Sequence, residues 1–118
     1  MDFGNDVYIN LGCVILDCNT VTIRNNTMIG PNVGIYATNH MLDAEERIHG
    51  KCISKPIHIG NRVWLGGGVH VLPGVTIGDD SVIGAGSVVT HDIPSGVVAA
   101  GNPCRVLRKI TEEDKQEA

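Results

Sequence analysis

Five histidines, His40, His49, His58, His70 and His91, are the side chains of this 118-residue chain best suited to moving a proton near neutral pH. Their successive separations of 9, 9, 12 and 21 residues give none of the close pairs that a histidine metal site uses, so no metal is expected. His40 stands apart, because a regular framework breaks off there and a polar segment begins. Gly66, Gly67 and Gly68 form the one glycine triplet. It serves either as a flexible corner or as a bare backbone N–H able to steady a negative oxygen. Arg105, Arg108 and Lys109 are the one close basic cluster, either a solvated tail or a grip for phosphate, which arginine forks hold well. The four cysteines, Cys13, Cys18, Cys52 and Cys104, have neither metal-ligand nor disulfide-framework spacing, which fits a reducing, cytoplasmic setting.

A six-residue period supplies the elements that must position these groups. From Ile59 it runs through Leu65, Val71, Ile77 and Ile83 to Val89, always with Ile, Leu or Val at position one. Position two is usually Gly, and position five is Val or Ser. A helix turning every ~3.6 residues cannot keep such a period on one face, and an ordinary strand alternates every ~2. One buried aliphatic per short strand and corner is the pattern of a parallel β-helix, with coils stacked ~4.8 Å apart. The earlier half keeps the register: Ile23, Ile29 and Ile35 are six apart, with Thr27 and Val33 at their fifth positions. Phe3, Ile9 and Ile15 form a further run offset by two residues, which predicts a two-residue bulge near Asp17–Thr22. Position one is expected to point inward, position five to fit the tight corner, and the Gly- and Asn-rich positions to supply permissive backbone at the bends. Cys13, at a fifth position, reads as a small core filler.

Composition agrees with one narrow-cored domain: 15 glycines, and only four Phe, Tyr and Trp residues together. The net charge of −4, without a basic stripe outside the C-terminal part, argues against a nucleic-acid partner. No apolar run reaches membrane-spanning length and no signal peptide opens the chain, so no membrane partner is expected. Residues 37–56 break the period, are polar and charged, and leave the phase intact. They are therefore a loop pushed out of an intact coil, and loops of that length are commonly functional. Residues 1–110 form the β-helix domain. Residues 111–118 form a tail in which Thr111 caps a short helix opened by Glu112, Glu113 and Asp114.

Several stretches together resemble a known family. They are Tyr36-Ala37-Thr38-Asn39-His40, Lys55 through Gly67, Pro73 through Gly78, Ile83 through Thr90, and Gly101-Asn102-Pro103-Cys104-Arg105. They are similar to the maltose, galactoside and nodulation-factor O-acetyltransferases of the hexapeptide-repeat superfamily. The resemblance runs from about Tyr8 to Ile110, nearly the whole chain. It implies a left-handed winding, which the period does not set and which the usual right-handed crossover preference opposes. It also implies a homotrimer with active sites between subunits, and acetyl-coenzyme A as the acetyl donor. Members of the family carry an N-terminal arm ahead of the point matching Met1 that helps to bind the sugar. On this reading the arm is expected to be missing here, which would leave the acceptor site incomplete.

The resemblance implies roles residue by residue. His40 matches the family's catalytic histidine, the general base that takes the acceptor's hydroxyl proton. Gly67 stands where several relatives carry a serine, so any oxyanion donor there is main-chain. Ala85, Thr90, His91, Arg105 and Arg108 match positions that contact coenzyme A, and relatives often carry lysine where His91 stands. Asn10, Asp17, Cys52 and Trp64 fall at or beside positions that meet the sugar. Cys18 occupies a site where galactoside acetyltransferases have Asp. For Asn10 and Asp17, stacked polar corners of the coil are an equal reading. Trp64, the only tryptophan, falls at an outward-pointing sixth position and suits either a subunit interface or a sugar face.

The expected function is acetyl transfer from acetyl-coenzyme A to a hydroxyl of a sugar or glycoside. Two alternatives share the architecture: a non-catalytic trimeric scaffold shortened at its N-terminus, and a γ-class carbonic anhydrase, which the histidine spacing disfavours.

Overall fold

The computed structural model describes residues 1–116. Each coil lays down three short strands. The first holds β1 (Asp2–Phe3), β2 (Tyr8–Ile9) and β3 (Val14–Leu16), and the second β4 (Val21–Ile23), β5 (Met28–Ile29) and β6 (Gly34–Tyr36). An excursion follows, with β7 (Thr38–His40), α1 (Ala44–Ile48) and β8 (Cys52–Ser54). The third coil holds β9 (Ile57–Ile59), β10 (Trp64–Leu65) and β11 (His70–Val71), and the fourth β12 (Thr76–Ile77), β13 (Val82–Ile83) and β14 (Val88–Val89). Strands β15 (Val97–Gly101) and β16 (Cys104–Lys109) complete the stack.

The strands stack into three faces of a prism, and the chain as a whole, excursion included, extends over 57 × 28 × 22 Å. Face one is β1-β4-β9-β12, face two β2-β5-β10-β13-β15-β16, and face three β3-β6-β11-β14. All these pairings are parallel except β15 with β16, an antiparallel pair that ends face two. The hexad register holds throughout: Ile59 lies between Ile23 and Ile77 on face one, and Leu65 between Ile29 and Ile83 on face two. The predicted bulge is present. Phe3 pairs with Ile23, two residues further on than the eighteen that separate Ile59 from Ile77.

Positions one and five make the core. Ile23, Ile29, Ile35, Ile59, Leu65, Val71, Ile77, Ile83 and Val89 are buried, as are Thr27, Val33, Val63, Val69, Val75, Ser81 and Ser87. The buried hydroxyls are satisfied: Thr27 Oγ1 donates to Gly60 O at 2.7 Å and Ser81 Oγ to Pro94 O at 2.6 Å across coils, and Ser87 Oγ to Gly84 O at 2.6 Å within its own. Cys13 is half-buried against this core with its thiol 3.2 Å from Gly30 O. Phe3 departs from the expectation and is 53% exposed, because its coil has a neighbour on one side only among the described residues.

The bends bear out the sequence expectation at one position of the hexad and not at another. The left-handed backbone falls at position four, on Asp6, Asn26, Asn32, Arg62 and Asp80 as well as on Gly12, Gly68, Gly74 and Gly86. At Gly30 and Gly66 the glycine at position two has a different reason, which is room. A Cβ on Gly30 would lie 2.8 Å from Gly67 N, and one on Gly66 2.7 Å from Ala85 N. At these two positions the coils, spaced for strand pairing, leave no space for a side chain.

The segment at 37–56 is pushed out of the coil as expected, and it is a β7–β8 antiparallel hairpin whose tip is α1. Asp43 caps that helix through its carboxylate, which accepts from Glu46 N–H at 3.0 Å. The C-terminal expectation needs correction as well. Strand order continues to Lys109, and the helix is a single 3₁₀ turn, Glu112–Asp114, because Asp114 folds back to accept from Thr111 N–H at 2.8 Å. The rest of that predicted segment, residues 117–118, lies outside the described residues.

Candidate active site

Most of the candidate residues sort onto two of the three corners of the prism. The first is the corner between faces two and three. Asn10, Gly30, Gly66 and Gly84 stack there at position two, with Leu11, Pro31, Gly67 and Ala85 at position three. A groove of about 370 Å³ opens beside it, lined by Tyr8, Asn10, Met28, Gly30, Pro31, Trp64 and Gly67. Trp64 is 54% exposed and points outward, as its hexad position predicts. It belongs to an outward column on face two, Tyr8–Met28–Trp64–Val82–Val98.

This corner leaves two position-three donors open among the described residues, the N–H groups of Gly67 and Ala85. On the corner between faces one and two, three position-three N–H groups find a carboxamide or carboxylate from the next coil. Asn5 N–H donates to Asn25 Oδ1 at 2.8 Å, Asn25 N–H to Asn61 Oδ1 at 3.0 Å, and Asn61 N–H to Asp79 Oδ1 at 2.7 Å. Gly67 would need its acceptor from Ala85, whose methyl group offers none. Gly66 N–H donates to Ile83 O and Gly68 N–H to Pro31 O, both at 2.9 Å, while Gly67 N–H has no partner among the described residues. Of the triplet, Gly67 alone presents a free N–H, and it lies on the groove that Trp64 and Asn10 line.

The second corner, between faces three and one, holds the base candidate. His40 ends β7, exposed, on a groove with Asn39, Leu42, Ile53, Lys55 and Pro73. Cys52 is its direct cross-strand partner on β8. Asp17 lies one coil earlier at the same corner, half exposed and 3.7 Å from the amino group of Met1. Asn19 Nδ2 donates to Ser54 Oγ at 3.3 Å, which ties the Asp17–Asn19 segment to the foot of the hairpin. Further along the same corner lie Thr90 and His91, their Oγ1 and Nδ1 2.8 Å apart.

The four residues matched to the sugar therefore divide. Asn10 and Trp64 stand on one corner, Asp17 and Cys52 on the other, and the two grooves share no lining residue. Within one chain His40 does not meet Gly67.

Arg105 and Arg108 stand on β16 at the end of face two, both exposed. Arg108 is occupied: its guanidinium donates to both carboxylate oxygens of Asp114, at 2.7 and 2.9 Å. Arg108 first, and the Thr111 N–H second, hold the Asp114 carboxyl down at about 2. Burial pushes the neighbouring Cys104 thiol up, against weaker opposing pulls from Ser87 and Arg105, which suits an inert core residue. Sequence reasoning missed the Asp114 clamp. It also missed the pairing of Tyr36 with His70 on face three, where the phenol oxygen lies 3.0 Å from Nδ1 and the rings stack at 5.7 Å. Gly34 makes room for that phenol, since a Cβ there would lie against the Tyr36 hydroxyl. Among the described residues no three His, Cys, Asp or Glu side chains are grouped to hold a metal ion.

Comparison with known proteins agrees with this architecture. Residues 56–91 match the bacterial transferase hexapeptide model, which describes six repeats. The chain is 54% identical over 112 residues to galactoside O-acetyltransferase of Escherichia coli K12, a match covering 95% of this chain and 55% of that protein. It is 47% identical over 112 residues to galactoside O-acetyltransferase of Lactococcus lactis, covering 95% and 54%. A solved galactoside acetyltransferase in complex with coenzyme A superposes with a TM-score of 0.95 at 53% identity, covering 98% of this chain and 57% of that one. A maltose O-acetyltransferase from Clostridium difficile 630 superposes at 0.90 with 51% identity, covering 93% and 59%. The winding is left-handed, as in these neighbours. The chain spans little more than half the length of each of these relatives.

Proposed function

The chain belongs to the hexapeptide-repeat family that includes the galactoside and maltose O-acetyltransferases, and from that premise we propose that it moves an acetyl group from acetyl-coenzyme A to a hydroxyl of a sugar or glycoside. The observation that carries the reading is the unpaired Gly67 N–H beside the groove of Tyr8, Asn10 and Trp64. Glycines at Gly30 and Gly66 keep that corner narrow enough for a slender chain to lie along it, and Arg105 on β16 offers charge to phosphate. In this reading His40 accepts the proton of the acceptor hydroxyl as its oxygen attacks the thioester carbonyl. The Gly67 N–H meets the negative charge that grows on the carbonyl oxygen. Protonated His40 then returns its proton to the departing sulfur. A base contributes ~10²–10⁴ in rate and a preorganised donor ~3 kcal/mol.

His40 and Gly67 stand on different corners, so a complete site needs two copies of the chain. A ring of three copies supplies it, since one repeated heterologous contact sets the His40 corner of each copy against the Gly67 corner of the next. The outward column Tyr8–Met28–Trp64–Val82–Val98 supports that assembly, as do Leu42 and Ile48 on the hairpin, 96% and 78% exposed. A reducing, cytoplasmic setting suits the same reading, since Cys13, Cys18, Cys52 and Cys104 are all free thiols.

The test is calorimetric titration with acetyl-coenzyme A followed by acetyl transfer to a panel of sugars and glycosides. Donor binding with turnover on at least one sugar is expected. Donor binding without transfer to any acceptor leaves a scaffold that holds coenzyme A, and no donor binding removes the reading altogether.

A further inference from the structure

The hairpin sets a thiol beside the base. Strands β7 and β8 pair with Thr38 opposite Ser54, Asn39 opposite Ile53 and His40 opposite Cys52. Residues directly opposite in an antiparallel ladder point to the same side, with Cβ atoms ~4.5–5.5 Å apart. Both His40 and Cys52 are exposed, so no packed side chain separates them from an incoming substrate. The hairpin is fixed at both ends. Thr38 Oγ1 donates to Ile53 O at 3.2 Å at its foot, and the Asp43 cap closes its tip. A thiolate is a far better nucleophile than a sugar hydroxyl at neutral pH. A base able to prepare a hydroxyl for attack on a thioester is therefore also placed to prepare this thiol.

We propose that Cys52 is an acetyl acceptor in its own right, and that the chain acetylates itself there when no sugar is bound. The inference rests on the acetyl-transfer reading above. His40 takes the proton from Cys52 Sγ, and the sulfur forms a bond to the carbonyl carbon of acetyl-coenzyme A. The bond from that carbon to the coenzyme's sulfur breaks, and the leaving thiolate takes the proton from His40. One thioester is lost and one is made, with no oxidant, reductant or further reactant. The exchange is close to balanced and reversible by free coenzyme A. Cys18 is the internal control. It is equally exposed, but it lies at the foot of the hairpin beside Asn19, which bonds Ser54, and it has no histidine opposite.

The experiment incubates the full chain with acetyl-coenzyme A and no sugar, quenches in acid, and reads intact mass and peptide maps before and after hydroxylamine. The expected result is one hydroxylamine-labile acetyl group per chain, on the Cys52 peptide. It should be absent in Cys52→Ala, formed ~10²-fold more slowly in His40→Asn, and unchanged in Cys18→Ala. An adduct on Cys18, or an adduct that His40→Asn forms at the wild-type rate, overturns the proposal. Sugar acetylation, or calorimetric donor binding, with no adduct on Cys52 overturns this inference and leaves the acetyl-transfer reading standing. A chain that binds no donor overturns both.

Discussion

Replacing Gly67 by serine should be harmless to the fold, while the same change one residue earlier should not. A Cβ at Gly67 meets Pro31 Cδ, Cγ and O, each at 3.5 Å, which is ordinary contact. A Cβ at Gly66 meets Ala85 N at 2.7 Å, Ala85 Cα at 3.0 Å and Ile83 O at 3.1 Å. All three are backbone atoms of the next coil, held by the bond from Gly66 N–H to Ile83 O. They cannot retreat without breaking the stack, so Gly66→Ser should cost ~2–4 kcal/mol, as core overpacking and a broken ladder bond do. Gly67→Ser should fall between neutral and a gain of ~0.4–1 kcal/mol from the stiffer unfolded chain. At ~4 °C per kcal/mol for a domain of this size, Gly66→Ser lowers the melting temperature by ~8–16 °C and Gly67→Ser moves it by less than ~4 °C. The new hydroxyl also stands beside the free Gly67 N–H. A second donor there should raise turnover about 10-fold, a part of the ~10²–10³ that a preorganised oxyanion donor contributes. Thermal unfolding by circular dichroism and steady-state turnover at saturating acetyl-coenzyme A measure both effects. A Gly66→Ser protein as stable as wild type would refute the stacking argument. A well-folded Gly67→Ser protein with lower turnover would mean that the Gly67 N–H does not face the reacting carbonyl.

Arg105→Ala with Arg108→Ala should raise the Michaelis constant for acetyl-coenzyme A more than it lowers turnover, since contacts remote from the thioester hold ground and transition states alike; calorimetry at two salt concentrations would expose an unchanged affinity. Arg108 must leave Asp114 to reach a phosphate, so Asp114→Asn should tighten donor binding ~2–5-fold, the range of an exposed ion pair, in the same titration. The Asp114 carboxyl is held below its ordinary value, so the clamp is complete above the unfolded carboxylate range and is lost as pH falls through about 2. Titration followed by NMR should find that midpoint in wild type, and a rise toward the ordinary carboxylate range in Arg108→Ala. Sedimentation at micromolar concentration should give a trimer, and a stable monomer would remove the two-copy site.

The hexad period was enough to place the core. Positions one and five face inward because the coil repeats one strand and one corner every six residues, so any buried side chain recurs at that interval. The same period put Trp64 outward and located the bulge after Leu16. It did not reveal why position two is glycine. That reason lies in the next coil, eighteen residues away, and in the room between stacked backbones rather than in the bend itself. Nor did it separate Asn10 and Trp64 from Asp17 and Cys52, because a corner is defined by which faces meet there and not by residue type. The strand at Cys104–Lys109 was missed because it lies antiparallel to β15 and leaves the hexad pattern. With it went the reach of Arg108 to Asp114, a contact that closes only once that strand has run its length.

Whether His40 is the base in acetyl transfer is decided by the turnover of His40→Ala on an identified sugar acceptor at saturating donor. Turnover should fall ~10²-fold or more, with the calorimetric affinity for acetyl-coenzyme A nearly kept, because a base acts in the transition state and need not touch the donor's nucleotide. Wild-type turnover in that variant would make His40 an ordinary surface histidine and contradict the account.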